Sequence, residues 1–327
     1  MWFERLMGFA EESPEQVRAN IEHDGEFLIS RVNGHRVRSG RLSIPSLAEL
    51  RQQVPDLAQG RPRVSEVVGD VRLLHQDPRN AGALFQAASQ FNLLEMTGPK
   101  VTPERGVGIY EHDHTQGPAC AIACGGGTIF RNYFVPLEGQ VGQTAERQVD
   151  CLAELGNALG GPGLWEMRNG YALATTKGLK KVNRRLEAAS AGDRDELRGL
   201  LRIGVQHDVE VLGTDHRVSQ VYGAALPVAY GDGRPPRGLW EPLARLVLEA
   251  SYEATVLVAR AHHIETVCLT LLGGGVFGND DRWIGDSVLR ALSMAGGGDI
   301  RIVSYGRPNP VVRRILDAFT SGHSTVG

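Results

Sequence analysis

The sequence predicts an α/β protein in which helices cover a parallel sheet. Two observations carry this. In the last quarter, strand-like and helix-like stretches alternate with short connections: "IETVCLTLL", "DRWIGDSVLRALSMAG", "DIRIVSYG" and "NPVVRRILDAF". Such alternation is the pattern of βα units joined into a parallel sheet. The turn between the first of these strands and the helix after it is "GGGVFGND", glycine-rich as a tight strand-to-helix turn requires.

The elements follow in chain order. Residues 13–22 predict a helix, with Ser13 as N-cap, Pro14 in the first turn and Gln16 completing a capping box. In "EFLISRVNGHRVRSGRLSI", Asn33-Gly34 separates two alternating runs, a hairpin signal. Ser46 and Glu49 form a second capping box at the start of a short helix. Residues 1–60 read as an N-terminal helix and hairpin extension, and "AQGRPR" links it to the body, residues 61–327. Within the body, "VSEVVGDVRLLHQ" opens a new apolar pattern, and "GALFQAASQF" is an apolar run entering a polar loop. "GTIFRNYFVPL" (127–137) is strand-like, and "AERQVDCLAELGNAL" has helical spacing. "WEMRNGYALAT" is a second Asn-Gly hairpin, and residues 178–202 are charged and helical in pattern. "DVEVL" and "HRVSQVYGAALPVAY" are strand material, and residues 239–261 form the longest helix, apolar over a broad face.

Bulk properties narrow the function. The net charge of −3 and pI near 6.4 favour neither nucleic acid nor a membrane surface. No apolar run approaches the roughly 20 residues of a membrane span. The start, "MWFERLMGFAEESPEQ", is too acidic for a signal peptide. Four cysteines in 327 residues do not make a disulfide framework, and the expectation is a soluble cytoplasmic protein with reduced thiols.

Four stretches can carry chemistry. The first is "LLGGGVFGNDDRW" (271–283), where backbone N–H groups at a helix start can cradle an anion. It lacks the lysine and Ser/Thr of a triphosphate loop and the spacing of a dinucleotide fingerprint. A tight turn without a ligand is the plain alternative. The second, "FQAASQFN", places small residues and carboxamides at a strand end, where open α/β sheets bind ligands. The third is "YEHDHTQGPACAIAC", in which Asp113 precedes a helix start and suits a ribose hydroxyl, a water or simply the helix itself. His112, His114, Cys120 and Cys124 fall near zinc-ligand spacing, but the cysteines sit in an apolar helix face, and no metal or cofactor is expected. The fourth, "QHDVEVLGTDHR", carries Asp208, Glu210 and Asp215; two carboxylates on one strand face suit a guanidinium or acid–base work, or only a solvated edge.

Together these motifs resemble the macrodomain superfamily, whose members bind ADP-ribose. "GDVR" followed by "QAASQFN" is similar to its opening strand and first ligand loop, with Gln86 and Ser89 where asparagines are usual, and "LLGGGVFGN" is similar to its phosphate loop. The set "FQAASQFNLLE", "TQGPACAIA", "GTIFRNYF", "HRVSQVYGAALPVAY" and "LTLLGGGVFGNDDRWI", across residues 65–327, most resembles the arginine-specific ADP-ribosyl hydrolases of the MavL type. The resemblance implies a macrodomain-like three-layer α/β/α fold with a mixed, largely parallel sheet. It also implies a hydrolase that removes ADP-ribose from protein arginine side chains, with a non-catalytic ADP-ribose reader as the alternative. Gly273, Gly274, Gly275, Val276, Phe277, Gly278 and Asn279 would hold the diphosphate. Gln86, Ala87, Ser89 and Gln90 would line the nucleoside and ribose side, with Thr115, Gln116 and Gly117 on the opposite wall. Asp113, Asp208, Glu210 and Asp215 are the candidate catalytic carboxylates. The expected partner is ADP-ribose or an ADP-ribosylated protein.

Overall fold

The computed structural model describes residues 1–327 except 55, 57, 58, 114, 231, 232, 234 and 323–327. The N-terminal segment holds helices α1 (Trp2–Met7) and α2 (Pro14–Asn20) and strands β1 (Ile21–Asp24), β2 (Phe27–Ser30) and β3 (Arg36–Arg38). Strands β1, β2 and β3 form a small antiparallel sheet. Ser13 caps α2 by accepting from the Gln16 N–H, but the Gln16 side chain accepts from Glu12, so the expected box is half formed. Strand β4 (Arg41–Ser43) and helix α3 (Leu47–Gln53) follow, and here the Ser46–Glu49 box is complete. Because β4 pairs with a strand of the main sheet, the first 60 residues supply an edge of the body rather than hanging outside it.

The body runs through β5 (Arg63–Val68), α4 (Val71–Gln76), β6 (Leu84–Ser89), α5 (Gln116–Ala123) and α6 (Gly125–Tyr133). A short ribbon, β7 (Pro136–Leu137) and β8 (Gln140–Val141), precedes α7 (Ala153–Leu159) and the hairpin β9 (Trp165–Arg168) and β10 (Tyr171–Ala174). Asn169 and Gly170 turn that hairpin with φ of 47° and 78°, the left-handed values that a two-residue loop demands. Then come α8 (Thr176–Glu187), α9 (Ala191–Gly199), β11 (Gly204–Glu210), β12 (Arg217–Ala224) and the long α10 (Arg237–Ala261). Strand β13 (Thr266–Leu269), α11 (Asp281–Leu292), β14 (Asp299–Ser304) and α12 (Pro310–Thr320) complete the chain.

The main sheet has seven strands in the order β4-β11-β12-β6-β13-β14-β5. Its five strands from β12 to β5 are parallel, and β11 is antiparallel to both neighbours. Alternation along the central strands sorts two helical layers. Phe85 stacks on His75 of α4, whereas Gln86 donates to Thr255 of α10. Gln220 of β12 donates to the Cys120 carbonyl of α5, and Gly223 faces Ser251 of α10. The fold is therefore a three-layer α/β/α arrangement around a mixed, largely parallel sheet. Among the described residues no helix is long and apolar enough to cross a membrane.

One element departs from expectation. The stretch 127–137 was predicted as a strand, yet most of it lies in α6, all nine residues of which are buried. Packing overrides the β-propensity of Ile129, Phe130 and Tyr133, and the helically spaced polar residues Thr128, Arg131 and Asn132 are themselves buried. Glycines permit the close approach: a Cβ on Gly126 would lie 2.9 Å from the Arg38 carbonyl oxygen. Helix α7 is likewise shorter than its pattern, occupying only the C-terminal half of the predicted run.

Candidate functional site

Strand β6 sits between β12 and β13, and the chain leaves these strands toward different layers. After β6 it reaches α5 on one face; after β13 it enters α11, which packs on α10 on the other. Diverging connections open a crevice at the carboxyl ends of the strands, where ligands of open α/β sheets bind. A cavity of about 330 Å³ occupies it, walled by the end of β6, the segment after it, the start of α5, Tyr171 of β10, Tyr230 and the loop 270–277.

The glycine loop forms one wall. Gly273 has φ of 72°, and a Cβ there would lie 2.5 Å from Asn279 Nδ2 and 2.6 Å from Ala225 Cβ, so only glycine fits. Asn279 is buried and donates from Nδ2 to the Leu226 carbonyl at 2.8 Å, while its backbone N–H donates to the Gly273 carbonyl at 3.0 Å. The Gly278 N–H closes on the Gly275 carbonyl at 3.1 Å. These bonds fix the loop yet leave its tip open. Among the described residues, the N–H groups of Gly273, Gly275, Val276 and Phe277 have no acceptor. Val276 projects outward, 62% exposed. Asp280 accepts from the Arg282 N–H and caps α11; its carboxyl is held below the usual range first by that backbone bond.

The opposite wall is the start of α5. Gly117 packs there so closely on β6 that a Cβ would stand 2.5 Å from the Ala88 carbonyl oxygen. The N–H groups of Gln116 and Gly117, which have no acceptor among the described residues, add the positive end of an eight-residue helix. Asp113 Oδ1 accepts from the Thr115 N–H at 2.8 Å and hydroxyl at 2.6 Å, which leaves Oδ2 without a hydrogen-bond partner among the described residues. Tyr171, Tyr230 and Phe277 form an aromatic cluster at one end, with ring centroids 5.3–5.7 Å apart.

Gln90, Glu95 and Met96 form the floor, in a segment where, among the described residues, every backbone N–H but that of Asn92 has an acceptor. Gln90 N–H donates to Leu94 O at 2.9 Å, Phe91 N–H to Gly170 O at 3.0 Å, and Leu94 N–H to Asn92 Oδ1 at 3.1 Å. Glu95 N–H donates to Tyr110 Oη at 3.3 Å and Met96 N–H to Gln90 Oε1 at 2.5 Å. Leu93 is held at φ of 65°, costly for a non-glycine residue. Within this framework Glu95 is a wall residue of the cavity, but its carboxyl is buried, and among the described residues neither of its oxygens, both shut off from solvent, has a hydrogen-bond partner. The guanidinium of Arg131 stands 3.7 Å away, too far for a hydrogen bond. Burial raises the Glu95 carboxyl to about 7, against the lowering pull of Arg131 and its own N–H.

Of the residues expected at the site, Ser89, Gln90, Asp113, Thr115, Gln116, Gly117, Gly273, Gly275, Val276 and Phe277 line this one cavity. Five others are near it without lining it. Gln86 faces α10, its amide donating to Thr255 at 2.7 Å and its Oε1 accepting from the Thr270 N–H at 3.3 Å; Ala87 is buried inside the strand. Gly274, Gly278 and Asn279 shape the loop from behind.

Asp208, Glu210 and Asp215 are not brought to the cavity, which corrects the expected grouping of carboxylates. Strand β11 runs antiparallel to β12, so Glu210 pairs with Arg217 at the start of β12, whereas the cavity lies at its far end. A bulge between Gln206 and Val209 puts Asp208 at φ of 52°, Glu210 accepts from the Arg38 N–H at 3.0 Å, and Asp215 is exposed in the following turn. Of the zinc-spaced residues, His114 lies outside the described residues, and Cys120 and Cys124 are buried with their thiols pushed up by desolvation. Sequence reasoning passed over Glu95, Tyr171 and Tyr230. The signal for Glu95 was present in "FNLLEM": an acid embedded in a run whose neighbours Leu94 and Met96 are buried.

Fold and site thus define a class: an open α/β sheet with a cavity at the carboxyl ends of its strands, amide-rich on two sides and acidic at its floor. No protein-family model matches the chain, and no curated protein matches its sequence. Among solved structures it is similar to the poly(ADP-ribose) glycohydrolase of Thermomonospora curvata, with a TM-score of 0.42 and 13% identity over 94% of this chain and 95% of that one. The same enzyme bound to the inhibitor ADP-HPD gives 0.42 and 14% over 94% and 95%. A point variant of the Deinococcus radiodurans poly(ADP-ribose) glycohydrolase in complex with ADP-ribose gives 0.45 and 11% over 86% and 93%.

Proposed function

We propose that the chain is a hydrolase that binds ADP-ribose and cleaves the N-glycosidic bond joining it to protein arginine side chains. The observation that carries this is the pairing, in one cavity, of unpartnered amides at Gly273, Gly275, Val276 and Phe277 with the carboxylate of Asp113. Fixed N–H groups and the α5 terminus suit a diphosphate without a lysine or a metal ion. The aromatic cluster suits the adenine ring. In this reading the distal ribose lies beside Asp113, whose charge also acts on Tyr171 of that cluster. As the bond from the anomeric carbon to the guanidine nitrogen breaks, positive charge develops on the sugar, and the nearby carboxylate stabilises it. Asp113 Oδ2 is also free to orient the attacking water.

The test is incubation with an arginine-ADP-ribosylated peptide, with free ADP-ribose measured as product, alongside calorimetry with ADP-ribose. Release supports the hydrolase. Tight binding without release makes the chain a reader. Release from an ADP-ribose polymer but not from the arginyl peptide would move the linkage, and silence in both assays would make the loop a plain turn.

A further inference from the structure

Asp113 takes its place from the chain before it. It follows the turn Gly108–His112, and its N–H donates to the Tyr110 carbonyl at 3.1 Å. We infer that Glu11 is a positioning residue: it fixes this turn from the N-terminal segment and so sets where the Asp113 carboxylate stands in the cavity. The assignment rests on reading the cavity as an ADP-ribose hydrolase site in which Asp113 reacts. Glu11 itself is not a lining residue of that cavity.

Glu11 holds the start of the turn with both oxygens. Oε1 accepts from the Val107 N–H at 2.9 Å and from the Tyr133 hydroxyl at 2.7 Å, and Oε2 accepts from the Gly108 N–H at 2.6 Å. The backbone is shaped to the carboxylate. Gly106 has φ of 80°, and a Cβ there would overlap the Glu11 carboxyl carbon; one on Gly108 would lie 2.8 Å from Oε2. Val107 and Gly108 are buried, and among the described residues their N–H groups have no acceptor besides Glu11. A buried N–H stripped of its acceptor is costly, so loss of Glu11 drives the turn to rearrange.

The segment that carries Glu11 is anchored on the same turn. The Trp2 indole N–H donates to Val107 O at 3.1 Å, its backbone N–H donates to Glu111 Oε2 at 2.7 Å, and Arg5 donates to Glu111 Oε1 at 2.7 Å. Trp2, Phe3 and Met7 are buried in the core, so the segment is itself fixed. It therefore grips the turn at Val107–Gly108 and again at Glu111, and Asp113 lies just beyond. The two supports of Asp113 divide the work. Thr115 takes Oδ1 and so decides which oxygen turns inward, while Glu11 sets the position of the backbone that carries the carboxyl. A reacting group displaced by about 1 Å can lose about 10²-fold in rate.

The experiment compares the full chain with Glu11→Ala and with Tyr133→Phe, which removes one of the donors to Glu11. The arginine-ADP-ribosylated peptide gives kcat, and calorimetry with ADP-ribose gives affinity and stoichiometry. The expected result is a loss of about 10–100-fold in kcat for Glu11→Ala and about 3-fold for Tyr133→Phe, with affinity and stoichiometry unchanged. Stoichiometry counts folded sites, so a smaller folded fraction is told apart from slower chemistry. Against an Asp113→Asn background, Glu11→Ala should cost less than about twofold more, because residues that act as a unit are not additive. A Glu11→Ala variant within about twofold of the wild-type kcat overturns the assignment and leaves the hydrolase reading standing. So does a full further loss in the Asp113→Asn background, or a drop in stoichiometry that accounts for the lost kcat in both variants. A wild type that releases no ADP-ribose from the peptide overturns the reading of the cavity itself, and the inference with it.

Discussion

Arg131 and Glu95 face each other across 3.7 Å with both side chains buried, one from a helix in the α4–α6 layer and one from the loop after β6. The pair opens a polar chain through the core. Arg131 donates to the Tyr222 hydroxyl, which donates to Gln220 Oε1, and the Gln220 amide donates to His75 Nε2 at 2.9 Å. His75 Nδ1 then donates to Val71 O at 2.7 Å, and because Nε2 accepts from Gln220 the ring is neutral; burial, the largest influence, lowers it to about 4. The chain returns to the cavity, since the Val71 N–H donates to Gln116 Oε1 at 3.0 Å.

Replacing Arg131 with Met should strand this chain at its centre. It leaves the Leu93 carbonyl and the Tyr222 hydroxyl without their donor and removes the charge beside Glu95. Breaking a buried pair from one side costs about 3–5 kcal/mol. Urea unfolding checks it, and a loss below about 1 kcal/mol would mean that the pair and its hydrogen bonds are not formed.

The raised carboxyl makes stability depend on pH in a defined direction. Below its ordinary value of 4.5, Glu95 is protonated both folded and unfolded and contributes no slope. Between 4.5 and about 7 the unfolded chain loses that proton while the folded chain keeps it, so stability falls as pH rises, then levels off. Glu95→Gln removes this contribution. The stability difference between the variant and the wild type should therefore move in favour of Gln across that window, by on the order of 1–3 kcal/mol. Melting curves at several pH values would show it, and parallel curves would count against a raised carboxyl.

Gly273 and Gly275 should separate fold from ligand. Gly273→Ala forces a left-handed φ of 72° on alanine and drives its Cβ into Asn279 and Ala225, so the melting temperature should drop. Gly275 has an ordinary φ and nothing within 4 Å of a built Cβ. Gly275→Ala should leave melting unchanged and weaken ADP-ribose binding, because the methyl stands where the diphosphate approaches the amides. Unaltered affinity would remove the diphosphate from this loop.

Phe277→Ala should cost ADP-ribose about 1–3 kcal/mol of binding if the aromatic cluster seats the adenine. Ribose 5-phosphate, which has no base, should bind both forms alike. Equal weakening of both ligands in calorimetry would show that Phe277 shapes the loop rather than holding the ring.

Much of this was legible in the sequence, because the deciding physics is local. Asn33-Gly34 and Asn169-Gly170 mark hairpins through their own backbone preferences, and Ser46 and Glu49 cap a helix within four residues. The alternating strands and helices of the last quarter, and the glycine turn between β13 and α11, follow from side-chain periodicity. The tertiary structure decided the rest. It made 125–133 a helix, because tertiary packing overrode the β-propensity of Ile129, Phe130 and Tyr133 and buried even the helically spaced Thr128, Arg131 and Asn132. It carried Asp208, Glu210 and Asp215 to the far end of the sheet, because strand direction depends on pairing between distant segments. It also drew Glu95 out of an apolar run into the cavity floor, since an acid's role is set by what surrounds it, and Arg131 and Tyr110 reach it only when the chain is folded.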